Sequence, residues 1–381
     1  MSGKHAMRVL YVKNSSGLGG ASRSLLDLLE VIDRERVEPI VLLPKHGPIE
    51  DKLAELDVKS IVISSTTSVT NGGGRVKTVV KELVNKFAGI RVAYLIRKLD
   101  IDIVHNNSMC TDIGLRAANL AKIPCIVHVR ELCAEYRGAF NNEKLIRRLL
   151  PKASQVIFIS EFVANKFQPW AGNAPTYILP DAIRLSAPCS CSTLSSTEKK
   201  AFTLLAPGRI EYGKGQIDAI KATELLGNAG VNVELILLGA LYRSGYYDDC
   251  EDYIKDNHLS SVQMLPFSND IADDYAKADA VLMCAIDEGL GRVTVEGMLA
   301  GKLVIAAESG ATPELISDGQ TGLLYKPGDP NELASKIEWA INNPNEAARI
   351  AETGHSYAKS TFDLQVYANN ILDIYEGCLS V

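Results

Sequence analysis

The sequence predicts an α/β protein built from two successive parallel sheets, each covered by helices. Two observations support this prediction. Short runs rich in Val, Ile and Leu alternate with longer amphipathic stretches through both halves of the 381-residue chain, as strands alternate with crossover helices in parallel sheets. A Ser-, Thr- and Cys-rich stretch over residues 185–197 has little hydrophobic periodicity and separates the two series. The chain is long enough for two or three domains that each bury a core.

The first series predicts an N-terminal Rossmann-like domain over residues 1–184, with the fold beginning at Met7. Apolar, β-branched runs predict strands over 8–13, 39–43, 60–63, 102–105, 125–129, 155–159 and 176–179. Helical periodicity predicts helices over 21–32, 76–99, 111–121 and 143–150.

The second series predicts a C-terminal Rossmann-like domain over residues 200–362, joined to the first by a linker over 185–199. Its strands are predicted over 202–206, 234–238, 262–265, 280–284 and 303–306. The tail over 363–381 has the pattern of a long amphipathic helix.

The bulk composition is that of an ordinary globular protein and disfavours several classes. The chain is 46% hydrophobic and 23% charged, and its net charge of −6 argues against a nucleic-acid partner. No apolar run approaches the roughly 18 residues that span a bilayer, and the first residues lack the apolar core of a secretory signal. We therefore expect a cytoplasmic protein with reduced thiols. The pair Cys189 and Cys191 is expected to be incidental, because no His or further Cys stands at metal-binding spacing.

Two glutamates, Glu288 and Glu296, are separated by seven residues around a glycine-bearing loop and a predicted helix over 292–300. A helix that begins after a glycine-rich turn presents free backbone N–H groups and the positive end of its dipole, which favour an anion such as phosphate. Two carboxylates beside a phosphate site could accept hydrogen bonds from sugar hydroxyls. The alternative for Glu296 is an ordinary carboxylate on the helix surface.

Two cations, Arg209 and Lys214, follow the first strand of the second series. Ligands of open α/β sheets bind at the carboxyl ends of the strands, and an Arg fork with a Lys point charge suits a diphosphate. The alternative is a pair of solvated surface charges.

These segments resemble the motifs of retaining glycosyltransferases of the GT-B fold, in particular glycosyltransferase family 4. The run over 287–306 is similar to the E-x7-E motif, 207–215 to the G-R-x-x-x-x-K-G element, 316–324 to a G-x-T-G-L-L turn, and Gly19-Gly20-Ala21 to an N-terminal G-G-A loop. The resemblance implies two Rossmann-like domains facing across a cleft. It also implies that the first domain binds the acceptor, that the second binds the nucleotide-sugar donor, and that the last helix packs back on the first domain.

The same resemblance implies roles for individual residues. Arg209 and Lys214 would hold the donor pyrophosphate, Glu296 would bind the ribose hydroxyls and Glu288 would contact the donor sugar. Backbone N–H groups of Leu290, Gly291 and Arg292 would face the sugar or the phosphate, where the glycine-bearing loop Glu288-Gly289-Leu290-Gly291 meets the predicted helix. Arg292 stands where relatives often have an apolar residue, so it would reach a phosphate or pair with an acceptor group.

The loop over 14–20, which contains Gly19 and Gly20, is also somewhat like a dinucleotide fingerprint, with Ser22 in place of the third glycine. A nicotinamide site would need an acidic residue near the end of the second strand, and that strand ends at Leu43 without one. The dehydrogenase interpretation is therefore disfavoured. The resemblance implies that this loop faces the donor phosphate and the acceptor.

The stretch over 127–132 departs from the family pattern. Relatives commonly place a His just past this strand, where it reaches the donor sugar, and the corresponding position is Arg130, with His128 two residues earlier. Period-two alternation places both on one face of an extended segment. We expect one of them in a catalytic role, with a core histidine as the alternative for His128.

No essential metal or other cofactor is expected. Asp100 and Asp102 form a D-x-D sequence, which binds metal diphosphates in other glycosyltransferases. Here it precedes a strand at what should be the amino end, away from the site, so we expect solvated loop charges.

Residues 75–98 combine seven Lys and Arg residues with an apolar face, whereas the chain as a whole is acidic. A basic amphipathic helix can lie on an anionic membrane, which makes this segment a candidate peripheral contact with the inner face of the membrane. The alternative is a helix that buries its apolar face on its own sheet.

Together these observations predict a retaining, metal-independent transfer of a hexosyl group from a UDP- or GDP-sugar to a glycan or lipid-linked acceptor. The alternatives are a nucleotide-sugar epimerase on the same fold and a non-catalytic nucleotide-sugar-binding module.

Overall fold

The computed structural model of the chain describes residues 6–68, 75–132, 143–185, 201–239, 245–268 and 271–380, with the side chains of 75–78 and 143–145 excepted. The chain divides into two compact units, one formed by residues 1–182 with 364–381 and the other by residues 183–363. We call them unit 1 and unit 2. The predicted linker from residue 186 onward, with Cys189 and Cys191, lies outside the described residues.

Unit 1 contains a seven-stranded parallel sheet in the order β3-β2-β1-β4-β5-β6-β7. Its strands are β1 (Met7–Val12), β2 (Val37–Leu43), β3 (Lys59–Val62), β4 (Ile103–Asn106), β5 (Cys125–Val129), β6 (Gln155–Phe158) and β7 (Thr176–Ile178). The central strands are buried on both faces, which accounts for their continuous apolar runs.

The helices of unit 1 are α1 (Gly20–Val31), α2 (Ile49–Glu55), α3 (Arg75–Lys98), α4 (Ile113–Ala121), α5 (Glu143–Leu149), a 3-10 turn at Leu150–Lys152 and α6 (Glu161–Ala171). The last helix of the chain, at Leu364–Leu379, also belongs to unit 1 and packs against α1. Its apolar face, including Ile371 and Leu372, joins one hydrophobic core with α1, α2 and the sheet.

Unit 2 contains a six-stranded parallel sheet in the order β10-β9-β8-β11-β12-β13. Its strands are β8 (Phe202–Pro207), β9 (Val233–Leu238), β10 (Val262–Leu265), β11 (Ala280–Met283), β12 (Leu303–Ala307) and β13 (Leu323–Tyr325). Its helices are α7 (Gln216–Asn228), α8 (Gly245–Asp256), α9 (Ile271–Lys277), α10 (Arg292–Leu299), α11 (Thr312–Leu315), α12 (Pro330–Asn342) and α13 (Pro344–Thr361), so that the helix at Leu364–Leu379 is α14.

The predicted α/β fold with two parallel sheets is confirmed, and differences are confined to particular elements. Helices α2 and α6 occur where the sequence pattern predicts none, and α6 contains Pro169, a residue that disfavours a helix interior. Leu323 and Leu324, expected within a turn over 316–324, form the edge strand β13 together with Tyr325. Among the described helices, none is both long and apolar enough to cross a membrane.

Candidate functional site

The carboxyl edge of the unit 2 sheet brings the candidate donor-binding residues together. Strand β8 pairs with β9 on one side and with β11 on the other, so the chain reverses its direction of winding between β8 and β11. The loops that follow these two strands diverge at such a point and leave a crevice that commonly holds a ligand. Arg209 and Lys214 lie in the loop after β8, and Glu288 lies in the loop after β11.

The two loops are held against each other by backbone contacts that require glycine. The N–H of Ile286 donates a hydrogen bond of 2.8 Å to the carbonyl of Gly213. Gly215 has a φ of 65°, and a Cβ atom there would lie 2.0 Å from the carbonyl oxygen of Cys284. A side chain at position 215 would therefore force the loops apart and displace Lys214.

Lys214 and Glu288 form an ion pair across these loops, and their side chains remain 32% and 24% exposed. The backbone of Glu288 is fixed by the loop after β12, because the N–H of Ala311 donates to its carbonyl at 2.9 Å. A Cβ atom on Gly310 would lie 2.6 Å from the backbone of Glu288. The pair is thus a preorganised, solvent-accessible arrangement of opposite charges.

Arg209 differs from Lys214 because its side chain is 62% exposed and lies 3.2 Å from Glu211. Its backbone carbonyl accepts a hydrogen bond of 2.9 Å from the side-chain amide of Gln216 at the start of α7. The backbone is therefore anchored, while the guanidinium remains in solvent at the carboxyl edge of β8.

Helix α10 begins at Arg292, four residues after Glu288 of the Lys214–Glu288 ion pair. Gly291 precedes it with φ 88° and ψ 60°, a left-handed conformation that favours glycine. Leu290 is buried at 5% exposure, which fixes the loop that leads into the helix. The first backbone N–H groups of a helix have no partner within the helix and point out of its N-terminus, so this end suits an anion.

Glu296 lies on α10, is 8% exposed, and has a defined set of partners. One carboxylate oxygen accepts a hydrogen bond of 3.0 Å from the hydroxyl of Tyr275, and the other lies 3.4 Å from Nε of Arg292. A buried carboxylate requires such partners. Glu296 is therefore a fixed acceptor group rather than a surface charge.

Tyr275 is a site residue that sequence reasoning missed. It lies on α9, twenty-one residues before Glu296, and its ring is fully buried. Periodicity marks this position only as a buried helix position. The pairing with Glu296 becomes visible only in the folded protein, because the two side chains come from different helices.

In unit 1, Gly19 and Gly20 lie at the solvent-exposed start of α1. A Cβ atom built on Gly19 would meet no atom within 4 Å. Open space therefore lies over the backbone of this loop, and a ligand could approach it closely.

Arg130 is saturated by partners within unit 1. Its guanidinium binds the Asp181 carboxylate through Nε at 2.7 Å and through a terminal nitrogen at 2.7 Å, and it donates to the carbonyl and the side chain of Asn107 at 3.0 and 2.9 Å. Tyr367 of α14 donates to Asp181 at 3.0 Å. The Arg130 side chain is only 4% exposed. These contacts support a structural role for Arg130, as the cation that pairs with buried Asp181. The catalytic role expected for Arg130 stays a prediction.

His128 is fully buried beside this ion pair, and its Nε2 lies 3.8 Å from Asp181. Burial, together with the positive charge of Arg130, holds the pKa of His128 well below its ordinary value of 6.5, so the ring is neutral. Its ring centroid lies 5.5 Å from that of His105. These surroundings match the core-histidine alternative, and a catalytic role for His128 stays a prediction.

The D-x-D sequence lies at the amino edge of the unit 1 sheet, just before β4. Asp102 accepts a hydrogen bond of 2.8 Å from the backbone N–H of Arg8, whose guanidinium lies 3.8 Å from Asp100. In the described part of the chain, no cluster of three metal-ligating side chains is present.

Comparison with known proteins identifies the family. A model described as glycosyl transferases group 1 matches residues 195–357, and one described as glycosyltransferase family 4 matches residues 18–186. The chain belongs to the group 1, family 4-like glycosyltransferases. The two matches divide the chain much as the two sheets do, with the group 1 model over unit 2.

Two curated glycosyltransferases are similar over part of their length. An uncharacterized glycosyltransferase of Methanocaldococcus jannaschii is 32% identical over 162 residues, 42% of this chain and 43% of the relative. The capsular polysaccharide biosynthesis glycosyltransferase CapM of Staphylococcus aureus is 24% identical over 178 residues, 47% of each chain. The chain thus spans less than half the length of either curated relative.

The GT-B fold is shared with solved glycosyltransferase structures. The Anabaena protein HepE, crystallised in complex with UDP-glucose, superimposes with a TM-score of 0.80 at 24% identity, over 97% of this chain and 100% of that one. At this identity the likeness establishes the fold, which confirms the GT-B prediction.

Proposed function

We propose that this chain is a retaining, metal-independent glycosyltransferase that moves a hexosyl group from a nucleotide-diphosphate sugar to a glycan or lipid-linked acceptor in the cytoplasm. The main support is the convergence of Arg209, the Lys214–Glu288 pair, the N-terminus of α10 and Glu296 at the carboxyl edge of one sheet. Cations and helix N–H groups suit a diphosphate, and carboxylates suit sugar hydroxyls. Complexes of the related HepE with UDP and UDP-glucose favour UDP over GDP as the donor nucleotide.

Each group has a separate task in this proposal. Glu296, held by Tyr275 and Arg292, accepts hydrogen bonds from the ribose hydroxyls. Glu288 contacts the donor sugar and, as the partner of Lys214, keeps that ammonium aimed at the phosphates. Unit 1 supplies the acceptor-binding part of the protein, and the exposed loop with Gly19 and Gly20 is its candidate contact with substrate.

The chemistry needs one bond to break and one to form. The bond between the anomeric carbon and the phosphate oxygen breaks, and its electron pair leaves with the diphosphate. The acceptor hydroxyl attacks from the face that the nucleotide leaves, and its proton passes to the departing phosphate oxygen. Preorganised positive charge from Arg209, Lys214 and the α10 N-terminus stabilises the developing negative charge without a metal ion.

A thermal-shift panel with UDP, GDP and ADP, followed by assay of free nucleotide released from the matching sugar donor, tests this function. We expect one nucleotide to raise Tm and its sugar conjugate to be turned over. Tight binding with no turnover would assign a binding module. A changed sugar on an intact nucleotide, formed without acceptor, would assign an epimerase.

Replacing Glu296 with Ala should weaken nucleotide affinity by roughly 10- to 150-fold for each ribose hydrogen bond lost, because one charged hydrogen bond contributes about 1.5–3 kcal/mol. Calorimetry measures this loss. Glu296→Gln keeps the shape but not the charge and should fall between the wild type and Glu296→Ala. Glu338→Ala, which removes an exposed carboxylate of α12, is the matched control. An unchanged nucleotide Kd in Glu296→Ala would remove Glu296 from the site.

Activity should survive a chelator. Arg209, Lys214 and the helix N-terminus supply the positive charge that a divalent cation supplies elsewhere. Donor turnover measured with and without EDTA should agree. Loss of turnover in EDTA that Mg²⁺ or Mn²⁺ restores would contradict metal independence.

A further inference from the structure

Helix α3 has two faces of different character, and its large apolar side chains point away from the protein. The face toward α4 carries small or medium side chains, among them Ala88, Val92, Ala93 and Ile96, all buried. The opposite face carries seven large apolar side chains that are 38–68% exposed, namely Val79, Val80, Leu83, Val84, Phe87, Ile90 and Tyr94.

The exposed apolar side chains form one continuous stripe. Val79, Leu83, Phe87, Ile90 and Tyr94 follow at intervals of four, four, three and four residues, which places them on one side of a helix. Scattered exposed hydrophobic residues are normal in soluble proteins, but a contiguous stripe marks an interaction surface. We call these seven residues the α3 stripe.

A buried polar anchor fixes which side of α3 faces outward. Asn85, only 2% exposed, accepts a hydrogen bond of 3.0 Å from the N–H of Thr66 and donates one of 2.9 Å to Asp112. Turning the α3 stripe inward would break these buried hydrogen bonds, each costly to leave unmade. The outward orientation of the stripe is therefore built into the fold.

Four cations share helix α3 with the α3 stripe. Lys86, Arg91, Arg97 and Lys98 are exposed on the same helix. The single acidic residue of α3, Glu82, lies 3.7 Å from both Arg116 and Arg148, so cations already surround it. Helix α3 thus carries an apolar stripe and exposed cations beside it, which we call the basic margins of the stripe, and its one carboxylate lies close to two arginines.

We propose that the α3 stripe and its basic margins dock unit 1 on an anionic lipid surface. An apolar helix face bordered by Lys and Arg suits the boundary between acyl chains and anionic headgroups. A second copy of this chain fits less well, because a two-fold interface on this helix would bring the basic margins of both copies together. This docking requires no donor or acceptor chemistry, so it stands apart from the proposed transferase activity.

Co-sedimentation of the full chain with phosphatidylglycerol vesicles, and with phosphatidylcholine vesicles for comparison, tests the proposal. We expect binding to phosphatidylglycerol that weakens from about 0.01 M to about 0.15 M salt, as the Debye length falls from about 30 Å to about 8 Å. Lys86→Glu with Arg91→Glu should lower the partition coefficient at least about 30-fold. Leu83→Gln with Phe87→Gln should lower it at least about tenfold.

The control variant, Lys59→Glu with Lys359→Glu, makes the same change of net charge at exposed positions outside α3. It should bind the vesicles much more tightly than the α3 charge variant, which carries Lys86→Glu and Arg91→Glu. All variants should keep the wild-type nucleotide Kd, which reports on a separate part of the fold. Absence of wild-type co-sedimentation at low salt would overturn the proposal. An equal loss of vesicle binding in the control variant and in the α3 charge variant would also overturn the proposal. Binding would then depend on net charge and not on the α3 surface. A concentration-dependent dimer that Leu83→Gln with Phe87→Gln dissociates, without vesicle binding, would assign the surface to a second copy instead.

Discussion

Lys214→Ala and Arg209→Ala are each expected to lower turnover of the nucleotide-sugar donor by roughly 10²-fold or more, because the departing diphosphate loses a preorganised cation. The melting temperature of the ligand-free protein should hardly change. Both side chains are partly exposed, and ion pairs at exposed positions contribute little to stability. Donor turnover per folded molecule and a thermal melt measure the two quantities separately.

Lys336→Ala is the matched control for Lys214→Ala. Lys336 lies in the same unit, is 26% exposed and lies 3.4 Å from Asp318. The Lys336→Ala variant should lose as little stability as Lys214→Ala, and it should turn over the donor at the wild-type rate. If Lys214→Ala instead lost several degrees of Tm and turned over donor at the wild-type rate, Lys214 would be a structural residue.

Arg130→Met is expected to destabilise unit 1 by about 3–5 kcal/mol, because it leaves the Asp181 carboxylate buried without its cation. Burial by itself raises the pKa of Asp181, but the Arg130 guanidinium and other hydrogen-bond donors outweigh that effect and hold the pKa well below its ordinary value of 3.8. Denaturant unfolding followed by circular dichroism measures the change in the free energy of unfolding.

The pH dependence separates the charge effect from lost packing. In the wild type, the contribution of Asp181 is present above its ordinary pKa and is lost as pH falls through the lower folded pKa. In Arg130→Met, protonation of Asp181 relieves the unpaired charge, so the deficit relative to wild type should shrink between about pH 7 and about pH 4. A deficit that stayed constant over this range would indicate packing rather than charge. Arg130→Lys, which retains the charge, should lose less than Arg130→Met.

Much of the fold follows from local pattern. Strand β5 has the predicted bounds, and α10 begins at Arg292 as predicted, because a glycine-rich turn followed by an amphipathic run is a strong local signal. Helix α6 was not predicted, since Pro169 interrupts its pattern, and tertiary packing outweighs that local preference. Edge strand β13 is three residues long, too short for period-two alternation to distinguish it from a turn.

Helix α3 illustrates what periodicity cannot determine. The apolar residues of its stripe are visible in the sequence, and one interpretation was that they pack on the sheet. The structure instead buries the small residues around Asn85 and exposes the large ones. When a helix has apolar residues on two sides, the sequence pattern does not indicate which side packs on the protein. In α3 the buried hydrogen bonds of Asn85 fix the side that faces inward.

The candidate site contains residues that sequence motifs indicate and partner residues that only the structure reveals. Arg209, Lys214, Glu288 and Glu296 stand out in the sequence because they belong to two segments whose order and spacing resemble those of one family, and their roles in a site stay predictions. The partners are not predictable from local pattern. Tyr275, which holds Glu296, and Asp181, which holds Arg130, come from distant elements of the chain. Arg130 matches a motif position in the sequence, but its use as the cation for Asp181 depends on packing across four elements of unit 1.

Calorimetric titration of the full chain with UDP, GDP and ADP is the most direct test that the carboxyl edge of the unit 2 sheet is a nucleotide-diphosphate site. We predict saturable one-to-one binding of one of these nucleotides. Its affinity should fall at least about tenfold in Glu296→Gln and in Lys214→Ala, since each loses a charged hydrogen bond, and should be unchanged in Lys336→Ala. Failure of the wild type to bind any of the three nucleotides, or equal affinity in all these variants, would contradict the assignment.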